Sequence, residues 1–220
     1  MTIYEIYKSI DFLSPLALII GVSVGAIFYK YLDNVHRSVS IYLGFMLLVD
    51  FTSRIYAYCF SNNHIILLLY SMLELILFLY FYLKYMLRKK YLAIICIGIA
   101  GILYILWELI TFRENAKQFQ PYSKIADNAM IIFLVLTFFS EKISNYSDSK
   151  WDYFKLNIAV LLFFTINLIF FLPLNFLINE ETGAYFWIGI VIINMLFYLY
   201  LTSLIWQNAA ASRKLKNKAA

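Results

Sequence analysis

Seven stretches of roughly twenty residues, each nearly free of charge and none alternating between apolar and polar positions, recur along this 220-residue chain. About twenty apolar residues in an α-helix cross the hydrocarbon of a bilayer. A strand of a membrane barrel would instead alternate with a period of two. The expected spans are 12–32, 38–60, 64–87, 91–112, 123–139, 153–177 and 184–206. Composition agrees: 63% of residues are hydrophobic and 14% charged, against about 25% charged in ordinary soluble domains. The expected fold is therefore all-α, a seven-transmembrane-helix bundle forming a single domain over residues 1–220, with 207–220 as a short basic tail. The first apolar run is too long for a cleavable signal and follows Glu5 and Asp11, so it is expected to stay in the mature chain.

Basic residues set the expected orientation, because Lys and Arg collect in cytoplasmic loops. Lys30 and Arg37 flank the first loop, and Lys84, Arg88, Lys89 and Lys90 the third. Lys142, Lys150 and Lys155 surround the fifth, and Arg213, Lys214, Lys216 and Lys218 end the chain. The opposite side carries only Lys8, Arg113, Lys117 and Lys124. The amino end is thus expected outside and the carboxyl end in the cytoplasm. A pI near 9.0 then reflects contact with the lipid bilayer's anionic inner surface and calls for no nucleic acid.

Several soluble chemistries are excluded by what the sequence lacks. Cys59 and Cys96, like His36 and His64, fall at opposite ends of different spans, so neither a disulfide nor a Cys/His metal cluster is expected. Glycine-rich phosphate loops, G-x-S-x-G and H-E-x-x-H are all missing. No cofactor, metal or catalytic residue is assigned.

The remaining signal is charge inside the spans, which costs about 2.5–3.5 kcal/mol per group on insertion scales and so demands a reason. Asp50 and Arg54 stand one turn apart in the second span, Tyr70 and Glu74 in the third, and Glu108 near the end of the fourth. Asp127 and Asn128 open the fifth, where Lys124 also lies; Asn167 and Asn194 sit mid-span in the sixth and seventh. Asp50 and Arg54 form an i,i+4 pair within their own helix, or Arg54 reaches an acid on another helix. Glu74 and Asn194 either bond neighbouring helices or line a cavity. One arginine does not satisfy four acids, so the surplus must be protonated, hydrated, or matched by a ligand cation or by ligand hydroxyls. The reading adopted is a polar pocket in the outer half of the membrane, with an inner half apolar apart from its interfacial rim. Glu74 is the deepest acid and has no evident cation. Trp107, Trp187, Tyr56 and Tyr58 line that pocket or anchor at the interface, and Pro173 is expected to kink the sixth span.

Laying spans two and three over spans six and seven sets Asp50 against Asn167 and Glu74 against Asn194. That suggests a three-plus-one-plus-three parallel repeat of the kind seen in some carriers.

The segments SNNHIILLLYSMLELILFLYFYLKYML, YSKIADNAMIIFLVLTFF and LFFTINLIFFLPLNFL resemble a family of seven-helix inner-membrane proteins of unknown function common in Bacteroidetes. That family's Tyr-x-x-x-Glu pattern falls on Tyr70 and Glu74, its fifth-helix acid on Asp127, and its sixth- and seventh-helix asparagines on Asn167 and Asn194. Its members are often encoded beside sensor histidine kinases. The resemblance therefore implies a sensory or accessory role with such a kinase or another membrane signalling protein as partner. Three functions follow as expectations: a sensor of a small polar ligand, a solute or ion carrier or channel, and an intramembrane lipid-modifying enzyme using Glu74 or Asp50 as acid or base.

Overall fold

The computed structural model describes residues 9–60, 63–89, 91–111, 122–144, 153–174 and 180–219. It is all-α. Helices α1 (Leu13–Phe28), α2 (Asn34–Phe60), α3 (His64–Phe81), α4 (Leu92–Thr111), α5 (Tyr122–Ser144), α6 (Phe154–Leu174) and α7 (Glu180–Ala219) follow in order. A 3-10 turn, Tyr29–Tyr31, closes α1, and a π-helical turn, Tyr82–Met86, closes α3. Seven helices are long and apolar enough to cross a membrane, which makes this a multi-pass membrane protein. Helices suit that setting because every backbone N–H finds its carbonyl within the same segment, where no water substitutes for it.

Three boundaries differ from the sequence-based expectation for identifiable reasons. Helix α2 starts four residues earlier, at Asn34, because the Asp33 carboxylate accepts the His36 backbone N–H at 2.8 Å and caps it. Helix α5 runs to Ser144 instead of 139, carried by Glu141, which is buried despite its charge. At the third, the expected basic tail is helical as far as Ala219 and continuous with α7, and Glu180–Gly183 begin that helix instead of forming a loop. At 1.5 Å per residue its 40 residues reach about 60 Å, twice the hydrocarbon thickness, so the helix extends well beyond the membrane.

The chain divides into two compact units, Met1–Phe51 with Trp187–Ala220, and Thr52–Phe186. In the first, Gly21 lets α1 approach its neighbours closely: a Cβ there would meet Thr202 Oγ1 at 2.7 Å and Leu43 Cδ1 at 2.9 Å. Small residues at such crossings replace the hydrophobic drive that lipid removes. At one end of this unit Asp33 joins α2 to α7. Asn208 Nδ2 donates to Asp33 Oδ2 at 2.9 Å, and the Asp33 backbone N–H donates to Asn208 Oδ1 at 3.2 Å.

In the second unit α5 is the central helix, packing most extensively against α6, then α3 and α4. Its buried residues include Ser123, Lys124, Asp127, Asn128, Ile131, Leu134, Val135, Phe138 and Glu141, a broad stripe at helical spacing. Opposite it, α6 buries Leu156, Asn157, Val160, Phe163, Phe164, Asn167 and Phe171. Phe78 of α3 meets Phe164 edge-to-face with ring centres 5.0 Å apart, an aromatic contact between α3 and α6. Pro173 lies inside α6, in the last turn of its described part.

Candidate functional site

Near the Phe164 ring the second unit holds a cluster of charge. Lys124, in the first turn of α5, turns into the protein and is 2% exposed. Its ammonium donates to Glu74 Oε2 of α3 and, at 2.6 Å, to Asp127 Oδ2 one turn along its own helix. The same Nζ stands 4.3 Å from the centre of the Tyr70 ring and 5.8 Å from that of Phe164. Two carboxylates and two aromatic faces thus replace the hydration that a lysine loses on burial. Tyr70 also donates from its hydroxyl to Glu74 Oε1 at 2.9 Å. Both oxygens of Glu74 are engaged.

This overturns one expectation: Glu74 does have a cation, and it is Lys124, which charge counting had assigned to the outer surface. The i,i+3 spacing of Lys124 and Asp127 at the head of an otherwise apolar span was the signal available in the sequence. Ser123, equally buried, donates its hydroxyl to Glu108 Oε2, which brings α4 into the cluster. Five predicted residues, Tyr70, Glu74, Glu108, Asp127 and Asn128, therefore gather around the start of α5.

Asn167 belongs with them by register. It is 2% exposed and lies one turn from Phe164 on the same face of α6, and the Phe164 ring is already in reach of the Lys124 ammonium. Asn128, fully buried, lies one turn from Lys124 on α5. Among the described residues, Asp127 Oδ1, Asn128 Oδ1 and Nδ2, and Asn167 Oδ1 are buried without a hydrogen-bond partner. Such atoms each cost about 1–3 kcal/mol when left unmatched.

The other predicted residues are on α2, α4 and α7. Arg54 is half-buried on α2, where Asn63 Nδ2 bonds Ser53 Oγ of the preceding residue at 2.7 Å. Asp50 and Asn194 belong to the other unit, and both are half-buried there. Tyr58 and Trp107, expected as lining or anchors, are 92% and 62% exposed and so face outward from the protein. Tyr56 and Trp187 are half-buried.

A second polar network lies at the other end of this unit, near the expected inner ends of the third and sixth spans. Tyr82, fully buried in the π-helical turn, donates to Asn157 Oδ1 at 2.7 Å. Asn157 Nδ2 bonds the Tyr153 carbonyl at 3.0 Å and approaches Met86 Sδ at 3.7 Å. Tyr153 adopts φ 64°, a left-handed conformation unusual for an aromatic residue, and its carbonyl also accepts the Asn157 backbone N–H at 3.0 Å. Beside it, Glu141 accepts the backbone N–H groups of Arg88 and Lys89 at 3.0 and 3.3 Å and so fixes the chain leaving α3. Hydrogen bonding to Glu141 first, then burial and its negative charge, holds the Tyr91 hydroxyl above its usual pKa. No group of three or more His, Cys, Asp or Glu side chains among the described residues is placed to hold a metal ion.

Comparison of the chain with protein families, with characterised proteins and with solved structures finds no match.

Proposed function

We propose that this protein is a receptor-like membrane sensor, or an accessory subunit of one, that binds a small polar ligand at the Glu74–Lys124–Asp127 cluster. One observation carries the reading: around that cluster, four buried polar atoms find no partner among the described residues. Packing two helices together needs no such excess of unmatched atoms, whereas a ligand bound there matches them. The cluster ties together α3, α4 and α5, and α3 leads on through its π-helical turn to the Tyr82–Asn157 network at its far end. Ligand binding at one end and a strained polar network at the other are the two elements a signalling helix needs.

In this reading the chain lies in a bacterial inner membrane with its amino end outside and the basic end of α7 in the cytoplasm. Its partner is a sensor histidine kinase or another membrane signalling protein. The sidedness rests on the distribution of Lys and Arg, and the partner on the family resemblance. The alternative is a small-solute or ion carrier or channel.

A thermal-unfolding screen of the purified protein in detergent against small polyols, amides and amino compounds, paired with uptake assays in proteoliposomes, separates the two. The sensor reading expects a compound that stabilises the wild type, fails to stabilise Glu74→Leu, and is not taken up. Uptake of the stabilising compound, or no stabilisation by any compound, overturns it.

A further inference from the structure

We infer that the Glu74–Lys124–Asp127 cluster is a proton-binding site, holding one exchangeable proton on its two carboxyl groups. The inference goes beyond the ligand reading above and does not depend on it. Charge sets the count. The Lys124 ammonium donates to Glu74 Oε2 and, at 2.6 Å, to Asp127 Oδ2, so two carboxyl groups converge on one cation. All three side chains are at most 3% exposed. If both carboxyls were ionised, a net negative charge would be buried without water to solvate it, and the two anions would repel across a single nitrogen. One proton leaves the cluster neutral.

Hydrogen bonding places that proton. Glu74 and Asp127 are in hydrogen-bond contact with each other as well as with Lys124. Two carboxylates offer only acceptors, so that contact needs a proton on one of them. Glu74 already accepts at both oxygens, from Lys124 and from the Tyr70 hydroxyl at 2.9 Å. Asp127 Oδ1 is buried and receives no donor among the described residues. The proton therefore belongs to Asp127, and Glu74 keeps the charge that pairs with Lys124. On the helices packed against α5, the titratable groups on this side are Tyr70 and Glu74 of α3 and Glu108 of α4, which is half-buried, accepts the Ser123 hydroxyl and has Tyr104 and Tyr122 near it. None of these adds a positive charge. From α6 the Phe164 ring faces the Lys124 ammonium. His64 begins α3, well over two turns from Glu74. Release of the proton to solvent leaves a negative charge uncompensated between α3 and α5, so the tie between these helices weakens as pH rises.

The test is infrared spectroscopy of the purified full chain in an ester-free detergent at neutral pH, in water and in deuterium oxide. A protonated carboxyl shows a carbonyl stretch that a carboxylate lacks, and an exchangeable proton shifts it in deuterium oxide. Asp127→Asn should lose one such band relative to wild type. Glu74→Gln should lose the same band although Asp127 is untouched, because Lys124 alone then neutralises the Asp127 carboxylate. Lys124→Met should gain one, since two acids without a cation hold two protons. Thermal unfolding across pH supplies the second readout: wild type should lose stability relative to Asp127→Asn as pH rises, because wild type alone takes up a proton on folding, while His64 is common to both. A band unchanged in Asp127→Asn, or one that persists in Glu74→Gln, overturns the proposal. So does a stability gap that is constant with pH. If the proton bands fail in this way while a neutral polyol still stabilises the wild type, the proton inference falls and the sensor reading stands.

Discussion

Replacing Lys124 with methionine keeps the length of the side chain and removes its charge. In the native protein its ammonium donates to Glu74 Oε2 and Asp127 Oδ2, and all three side chains are at most 3% exposed. Hydrogen bonds to charged groups contribute about 1.5–3 kcal/mol each, so losing two predicts roughly 3–6 kcal/mol. Breaking a buried ion pair from one side, measured in other proteins, costs about 3–5 kcal/mol, in agreement. The cost arises from the two carboxylates left behind more than from the lysine removed. The triple variant Lys124→Met, Glu74→Gln, Asp127→Asn should therefore recover most of it and come within about 1–2 kcal/mol of wild type, the residue of buried amides with incomplete hydrogen bonding. Glu74→Gln alone should cost about 1 kcal/mol, because Lys124 keeps Asp127 and the amide oxygen still accepts from Tyr70. Reversible unfolding in mixed micelles, followed by circular dichroism, measures all three. A Lys124→Met protein as stable as wild type, or a triple variant no better than the single, would refute this account of the Lys124 ion pairs.

Tyr82→Phe removes the 2.7 Å bond to Asn157 and leaves a buried amide oxygen unmatched, which should cost about 1–3 kcal/mol in the same unfolding assay while the protein still inserts in membranes. At Asp33, burial raises the carboxyl pKa, but hydrogen bonds and charge from His36, with Asn208, outweigh it and hold the group below its usual 3.8. A carboxyl depressed on folding stabilises above its unfolded pKa and loses that contribution as pH falls through the folded value. The stability gap between wild type and Asp33→Ala should thus be widest near neutral pH and narrow below about pH 4, as thermal scans across pH will read. A reporter fused after Ala220 and one inserted beside Lys117 should give opposite sides of the membrane, cytoplasmic and external; the same side for both would refute the assigned orientation.

How far the sequence reveals this protein depends on which residues are asked. All seven helices are legible because a bilayer tolerates few structures, and an apolar run of sufficient length admits only a helix. The tie between α2 and α7 is less so: Asp33 and Asn208 lie far apart in sequence, and nothing local announces that they bond. For the site, Tyr70 and Glu74 are readable as an i,i+4 pair on one helix, and that hydrogen bond forms. Lys124 was misplaced because tallying charges by loop treats every lysine near a span end as solvated. The structure instead turns it inward, where two acids and two rings outweigh the loss of water. Tyr82 and Asn157 escaped notice for the opposite reason, since a tyrosine near a span end reads first as an interfacial anchor, whereas the π-helical turn rotates this one into the core. Relocating Lys124 also bears on orientation. With its charge spent on Glu74 and Asp127, it no longer belongs to either surface, and the side assigned as external keeps only Lys8, Arg113 and Lys117. The asymmetry of basic residues on which the proposed orientation rests is therefore steeper than the linear count implies, and the residue that blurred it lies at the centre of the proposed site.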